Sequence, residues 1–475
     1  MKRYCTLLAA FFMASSCAQE QDPINRVQPN YVKKSEFEGL WYYGRTIVDV
    51  PAADGFTFVG DGSWTLKKVR FDIQENVLYI RRMTEFLKDG DNLVRGAQGA
   101  TCTQDSDCAT GTCVSSTRRC EVLPYEGEVV GAFRILKHFD IAQPYNSATG
   151  EKLNILAENA IDRPWNEREY MRVDWSRNQV VMADDGFDVQ RTEPINYFVQ
   201  DPKHPDAPKF VHKGESLDYF DVTTRFFASA GTVDHPSYGK IPLCWFYDHQ
   251  FQECGPGEYT LRNSFLRIKP GSQYEPRSYK GTESELFGYF ETERLVYHRQ
   301  EGIRHQNKEQ LINRHNIWEK TVDEETGDPL PHAERTGKPL VYHVNPEWPD
   351  EATDPVLNAA ARSVADQWNS VFSDMVTQLG ASLPEGGRMF VLCPNNPTRA
   401  GDPAECGGEG YFARLGDIRH SFMAYLPDYM TYGLLGLGPS NTDPETGEII
   451  SGMAYVYHHN DTAAWDVAEM IELLS

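Results

Sequence analysis

Cysteine placement constrains the fold of this chain more than any other feature of its sequence. Apart from Cys5 and Cys17, the cysteines fall into three tight local groups. Locally grouped cysteines in even number are typical of disulfides formed in an oxidising compartment. We therefore expect three disulfide-bonded segments, formed by Cys102, Cys108, Cys113 and Cys120, by Cys244 and Cys254, and by Cys393 and Cys406.

The first group leaves its connectivity open, because four cysteines can pair in three ways. We favour alternating pairs within an insertion over residues 101–121, which forms a small knob between two strands. A zinc site is the competing interpretation. The C-x5-C-x4-C-x6-C spacing lacks the paired C-x2-C knuckles of a structural zinc site, which favours disulfides.

The N-terminus predicts export. Lys2 and Arg3 precede a short apolar run that ends in small residues directly before Cys17. This is the order of a signal peptide over residues 1–16, and the run is too short to span a bilayer. The junction resembles the lipobox of bacterial lipoproteins, so Cys17 is the expected lipid attachment site and the membrane an expected partner. Ala18 resembles the outer-membrane sorting signal, which predicts an outer-membrane lipoprotein of the cell envelope; the alternative is ordinary secretion after cleavage near Ala18.

Charge and length narrow the classes of function. The formal charge of −23 becomes −25 when Lys2 and Arg3 leave with the signal peptide. Because this sign repels phosphate groups, nucleic acid is not an expected partner. At 475 residues the chain exceeds what one hydrophobic core usually serves, so two or three domains are expected.

The first half of the chain predicts β-structure. Residues 17–37 are polar and predict a lipid-anchored tether, whereas residues 38–322 are rich in Val, Ile, Tyr, Phe and Trp between short turn signals. Alternating apolar residues within 128–141 favour antiparallel strands, and we expect a sandwich or barrel. The phrase Thr-Gly-acid recurs at residues 149–151, 326–328 and 446–448, where irregular spacing indicates turns that need a glycine with positive φ rather than a repeat.

A Pro/Gly/charge segment over residues 323–339 predicts a linker, and residues 340–475 then predict a second domain of mixed α and β structure. Asp354 caps its long helix, and Gly380 ends it. Strands are expected at 340–345, 388–393 and 421–426, with an edge strand at 449–457 and a last helix after Asp461 or Thr462. One apolar stripe is expected to face the core along the long helix: Leu357, Ala361, Val364, Trp368, Val371, Met375 and Leu379.

This order of elements resembles the N-terminal half of a zincin metallopeptidase domain of the metzincin, matrixin-like kind. Four phrases carry the likeness: KPLVYHVN at 338–345, QWN at 367–369, GDIRHSF at 416–422 and GPSNTDPETGEII at 438–450. With the lipoprotein start, and with DRPW at 162–165 before VDW at 173–175, the chain resembles the front part of a large bacterial lipoprotein of this kind. The expected fold class is therefore α+β, with a β-rich N-terminal domain before a partial zincin-like domain.

The zinc site that the resemblance implies is missing from the sequence. Zincins bind zinc through H-E-x-x-H on a helix, and this motif does not occur in the chain. We expect a reading frame truncated before that helix, with no metal ligand, no cofactor and no catalytic residue in these 475 residues. Zinc, and a protein or peptide substrate, would be expected only with an H-E-x-x-H region further along. The alternative is a non-enzymatic envelope protein for binding or scaffolding.

The histidines offer no further site by spacing. His458 and His459 beside Asp461 are interpreted as a loop at a strand end, because neighbouring strand residues point to opposite faces. The pair His420-Ser421 has no identifiable orienting acid. The lone histidines are interpreted as structural: His138, His249, His305, His315 and His343.

Overall fold

The fold is taken from a computed structural model. It describes residues 22–51, 59–60, 62, 65–83, 87–89, 102–108, 112–115, 118–121, 126–180, 192–229, 232–242, 257–269, 271, 273–279, 286–297, 308–323, 325–427 and 436–457. These residues form two compact units. The smaller unit contains the described residues up to Glu36, with Gln74–Asn76 and Ile135–Val173, and the larger unit contains the others.

The described structure contains one long α-helix, α1 (Pro355–Gln378), and strands of 2 to 17 residues. Short 3-10 helices cover Lys34–Phe37, Asp105–Asp107, Trp165–Glu167, His332–Glu334 and Ala404–Cys406. In chain order the strands are β1 (Ile24–Asn25), β2 (Val32–Lys33), β3 (Trp41–Asp49), β4 (Lys67–Ile73), β5 (Val77–Met83), β6 (Leu87–Asp89), β7 (Thr112–Val114), β8 (Arg119–Glu121), β9 (Glu126–Ala142), β10 (Ile155–Asn159), β11 (Tyr170–Asp174), β12 (Thr192–Ile195), β13 (Lys209–Lys213), β14 (Ser216–Ala228), β15 (Thr232–His235), β16 (Gly239–Pro242), β17 (Gly257–Arg267), β18 (Glu291–Tyr297), β19 (Lys308–Ile312), β20 (Arg314–His315), β21 (Leu340–Val344), β22 (Phe390–Cys393), β23 (Ser421–Leu426), β24 (Gly436–Leu437), β25 (Ser440–Thr442) and β26 (Glu448–Tyr457).

The smaller unit corrects part of the predicted tether. β1 pairs in parallel with β10, and β2 pairs with β11 in antiparallel fashion, so residues 24–33 are held in sheet structure. The ring of Tyr31 lies 5.8 Å from that of Phe139 and 5.4 Å from that of Tyr170. Several apolar residues of this segment thus meet partners far along the chain, Ile24 and Val32 in strand pairing and Tyr31 among aromatic rings.

An antiparallel sheet dominates the larger unit and confirms the predicted β-rich character of the first half. Its order is β9-β5-β4-β3-β17-β14, and both β12 and β13 pair with β14. Aromatic rings fill its core, where Phe220 lies 4.5 Å from Phe265, 5.8 Å from Phe71 and 5.7 Å from Trp41. Three small sheets, β7-β8, β15-β16 and β19-β18-β6, accompany it.

A mixed sheet in the same unit has the order β20-β26-β23-β21-β22, and these neighbours all run parallel. The predicted strands at 340–345, 388–393 and 421–426 are confirmed as β21, β22 and β23. The prediction that 449–457 forms an edge strand is wrong. β26 pairs with β23 on one side, and the short antiparallel strands β24 and β25 also pair with it.

Helix α1 begins and ends where the sequence predicts, but it presents a different face. Asp354 caps it by accepting a hydrogen bond from the Leu357 backbone N–H at 2.8 Å, and Gly380 follows it with a φ of 74°. The predicted stripe is only partly buried, because Val364, Trp368 and Val371 are 42%, 50% and 58% exposed. The buried residues of the helix are mostly small: Asn358, Ala361, Ala365 and Val376. Small residues let a helix approach a sheet closely, which apolarity alone does not reveal.

The three Thr-Gly-acid segments form the predicted turns. Gly150, Gly327 and Gly447 have φ values of 70°, 75° and 76°, a region that favours glycine. In the last turn, the Asp443 backbone N–H donates to the Glu448 carbonyl at 2.8 Å. The same closing hydrogen bond recurs in the other two turns, which confirms a shared local structure rather than a repeat unit.

Residues 323–339, predicted as a linker, lie within the larger unit together with the described residues on both sides. Arg335 is 4% exposed, and its guanidinium binds the Glu275 carboxylate at 2.7 Å. Within the described part of the chain, no helix is long and apolar enough to cross a membrane.

Candidate functional site

Two of the three predicted disulfide segments lie within the described residues. Cys102 pairs with Cys113 and Cys108 with Cys120, which is the alternating arrangement. Three of these sulfurs lie within 4.8 Å of one another, but each is bonded to another sulfur, whereas a metal needs the thiolate. Among the described residues, no other group of three metal-ligating side chains converges.

Cys393 pairs with Cys406, as predicted, and both are buried. The remaining predicted site residues fall outside the described residues: Cys17, Cys244, Cys254, His458, His459 and Asp461. The predictions made for them stay predictions.

A cavity of about 500 Å³ lies in the larger unit, where the parallel strands of the mixed sheet begin. Residues 338–341, 418–421 and 448–450 form one side of it, at the starts of β21, β23 and β26. Lys213, Asp218 and Leu266 from the antiparallel sheet also line it. Its size is within the range of small-molecule sites.

His420 is oriented by residues of the turn that precedes β23. Its Nε2 lies 2.7 Å from the Tyr411 hydroxyl and 3.9 Å from a carboxylate oxygen of Asp417. An acid thus stands near His420 that the sequence interpretation did not identify, but at 3.9 Å its carboxylate is too far away to hydrogen-bond the ring. Asp417 stands three residues earlier, and a turn closed by the hydrogen bond from the His420 backbone N–H to the Asp417 carbonyl, at 3.0 Å, brings the two side chains together.

Asp417 is fully buried and ionised. Burial pushes the pKa of its carboxyl up, but hydrogen bonds from Arg419 and the charges of His420, Arg419 and Lys209 outweigh burial, so the pKa is lowered. The Arg419 guanidinium binds Asp417 at 2.9 and 2.6 Å. Burial lowers the pKa of His420 despite the charge of Asp417, so its imidazole is neutral at pH 7.

His343, interpreted from the sequence as structural, lies beside His420 with 4.7 Å between the ring centroids. It is 2% exposed, and its Nε2 lies 4.0 Å from the Cys393 sulfur. Among the described residues, its Nδ1 has no hydrogen-bond partner. Burial, with a smaller contribution from the charge of His420, lowers the pKa of His343 to about 4.

His315 lines the same cavity from β20, and its Nε2 lies 3.4 Å from the Tyr342 hydroxyl. Burial, and then the charge of Lys338, lowers the pKa of His315 to about 4. The Ser421 hydroxyl belongs to this second group, because it accepts a hydrogen bond from the Gly452 backbone N–H at 2.9 Å and contacts Tyr342. Ser421 is therefore not paired with His420 as a nucleophile would be.

Buried ion pairs join the turn that carries His420 to the antiparallel sheet. Arg414 binds the fully buried Asp221 at 2.8 Å, and the Tyr219 hydroxyl donates to the other carboxylate oxygen at 2.9 Å. Arg262 donates to the Leu415 carbonyl. The cavity wall is thus fixed from behind by charged groups that water does not reach.

Comparisons of this chain with protein-family models, with curated proteins and with solved structures find no match. The site must therefore be interpreted from its own chemistry. Three neutral imidazoles, two lysines, an arginine and three carboxylates line the cavity, a set that suits the binding of a small polar molecule. The sequence did not predict this cavity, because its histidines are far apart in the chain. The only local signal is the Asp-x-x-His spacing of residues 417–420.

Proposed function

We propose that this chain is an exported, lipid-anchored protein of the cell envelope that carries the front part of a zinc metallopeptidase-like domain, without a zinc site of its own. The observation that carries the proposal is the order of elements after residue 339. Strand β21, helix α1 and strands β22, β23 and β26 follow each other in the order expected of such a half-domain. The four strands run parallel in one sheet, with short antiparallel strands beyond β26.

Export and anchoring rest on separate support. The signal-peptide pattern ends in small residues at Cys17, and the described cysteines form disulfides. Disulfides persist outside the cytoplasm, which agrees with export. Mass spectrometry of the mature N-terminus tests the anchor: the expected result is diacylglyceryl-Cys17, and an unmodified Cys17 or cleavage elsewhere would contradict it.

The metallopeptidase-like part is tested at the gene and on the protein. Reading the gene beyond codon 475 should reveal an H-E-x-x-H motif, in frame or after a frameshift. The purified chain itself should contain no stoichiometric zinc and should not hydrolyse peptides, because three converging ligands are needed for a catalytic zinc. Stoichiometric zinc with chelator-sensitive cleavage would refute the proposal.

A second candidate is a non-enzymatic binding lipoprotein, and the histidine-lined cavity favours it. The cavity stands at the beginnings of the parallel strands, and its described lining residues include no nucleophile hydrogen-bonded to a base. A genome sequence without H-E-x-x-H beyond codon 475, together with binding of a small molecule, would favour this candidate over the first.

A further inference from the structure

The side chains behind the cavity bear on which ring nitrogen of His420 carries its proton. Arg419 hydrogen-bonds the Tyr411 oxygen, and a guanidinium can only donate. Burial raises the pKa of Tyr411, so its hydroxyl keeps its proton, and Nε2 of His420 lies 2.7 Å from the Tyr411 oxygen. Donation from Tyr411 to Nε2 would place the proton of the neutral His420 ring on Nδ1, and the proposal below includes this assignment.

That Nδ1 is available to a ligand. It makes no hydrogen bond with any residue that the structure describes, and the His420 side chain is 19% exposed and lines the cavity. With this assignment, Arg419, Tyr411 and His420 form a chain of donors that ends at the cavity. Hydrogen bonds in a chain of this kind strengthen one another, because each donated hydrogen bond polarises the group that makes the next one.

His315 has a similar neighbour. The Gly452 N–H donates to Ser421, Ser421 hydrogen-bonds Tyr342, and the Tyr342 oxygen lies 3.4 Å from Nε2 of His315. Donation across this longer contact would place the His315 proton on Nδ1 in the same way.

A cation completes the donor set. Lys338 lines the cavity, and it has no ion-pair partner in the described part of the chain, although its charge acts on His315 and Glu448. Lys213 and Lys269 share a single carboxylate, that of Asp218, at 3.0 and 3.2 Å. Three carboxylates also line the cavity, those of Asp218, Glu405 and Glu448. Asp218 is the carboxylate shared by the two lysines, and burial and the charge of Asp443 raise the pKa of Glu448.

A second, independent observation comes from His343. It is a lining residue, almost completely buried, and its Nδ1 lacks a partner in the described residues. A buried polar nitrogen left unpaired costs free energy, and such a group is a common mark of a ligand site.

We propose that this cavity is a binding site for a small carboxylate, whose oxygens take the Lys338 ammonium and the Nδ1–H of His420, with His315 as a further donor. The proposal goes beyond the proposed function and does not depend on the metallopeptidase resemblance. A carboxylate is the favoured class because it offers only acceptors, whereas the Lys338 ammonium and, in this assignment, the Nδ1–H groups of the two histidines are donors.

Isothermal titration calorimetry of the purified mature chain with acetate, succinate and citrate tests the ligand class. At least one of these carboxylates should bind, and succinamide, which has the size of succinate without its charge, should not compete. Absence of binding by all three, or equal binding of succinate and succinamide, would overturn the proposal. Binding of inorganic phosphate without any carboxylate would overturn it in favour of another oxyanion.

Substitutions place the ligand in this cavity. Lys338→Gln should weaken carboxylate binding about tenfold or more, the effect of losing one charged hydrogen bond. Lys203→Gln is the matched control, because Lys203 is exposed and does not line the cavity. Lys338 is itself exposed, so folding should survive and circular dichroism will verify it. Unchanged affinity in Lys338→Gln would refute the site.

The donor chain is tested through His420 and Tyr411. His420→Leu should lose most of the affinity, whereas His420→Asn, which keeps an amide N–H near the Nδ1 position, should retain more of it. Tyr411→Phe changes a positioning residue that does not line the cavity. It should weaken binding and shift the ¹⁵N signals of His420 away from the Nδ1–H tautomer. An unchanged tautomer with unchanged affinity would refute the donor chain.

Discussion

His343 should make the protein sensitive to mild acid. Its pKa is lowered to about 4 by burial and by the neighbouring His420, whereas histidine in an unfolded chain titrates near ~6.5. Below pH ~6.5 the unfolded state therefore binds more protons than the folded state, and the stability due to the neutral ring is lost as the pH falls from ~6.5 towards 4. Between pH 7 and pH 5 this single ring should contribute about 2 kcal/mol to the loss of unfolding free energy.

The assay is urea unfolding at pH 7 and at pH 5, followed by circular dichroism, on the unchanged protein and on His343→Gln. The decrease in unfolding free energy between the two pH values should be about 2 kcal/mol smaller in the variant. The change with pH is measured within each protein and then compared, because the raised pKa of Glu448 stabilises the folded state as the pH falls, and both proteins keep Glu448. His204→Gln, at an exposed histidine outside the cavity, should leave the pH dependence unchanged. Equal pH dependence in the unchanged protein and His343→Gln would refute the argument.

Two further perturbations test the turns and the buried ion pairs by urea unfolding. Gly447→Ala should cost about 3 kcal/mol or more, because its φ is positive and the new Cβ would lie 2.7 Å from the Ile312 carbonyl oxygen. Gly150→Ala, in the same kind of turn with open space around it, should cost only about 1 kcal/mol, and equal losses would contradict the packing argument. Arg414→Met should cost about 3–5 kcal/mol, because it removes the hydrogen-bonded ion pair of the buried Asp221 and leaves only Arg262, whose Nε lies 3.8 Å from the same carboxylate oxygen. A loss no larger than that of a surface ion pair would contradict this reasoning, and would mean that Arg262 or a proton compensates the charge of Asp221.

Local signals explain what the sequence could predict. The Asp354 cap and Gly380 set the ends of helix α1, and each acts through hydrogen bonds or backbone angles within a few residues. The turn glycines and the paired cysteines 393 and 406 are equally local. Strand β23 was predicted at its observed bounds because it is a short apolar run between turn residues.

Features that depend on distant partners were not predictable in this way. The sequence around Ile24 and Tyr31 predicts a tether, because their partners are distant in the chain. In the structure, β10 lies beside Ile24, and the rings of Phe139 and Tyr170 lie beside Tyr31. The buried face of α1 is set by the closeness of the sheet, which selects alanines over the larger apolar residues of the predicted stripe. The spacing of apolar residues predicts a helix, but the sheet that packs against the helix decides which of its sides is buried.

The cavity is the strongest case of this dependence. A lone histidine has no defined role in a sequence, because either ring nitrogen can carry its proton. In this fold, Tyr411 lies 2.7 Å from Nε2 of His420 and Tyr342 lies 3.4 Å from Nε2 of His315, and burial raises the pKa of both tyrosines. The chemistry of the site therefore depends on pairs that form only in the fold, and in the proposed site a tyrosine that does not line the cavity decides what His420 offers to a ligand.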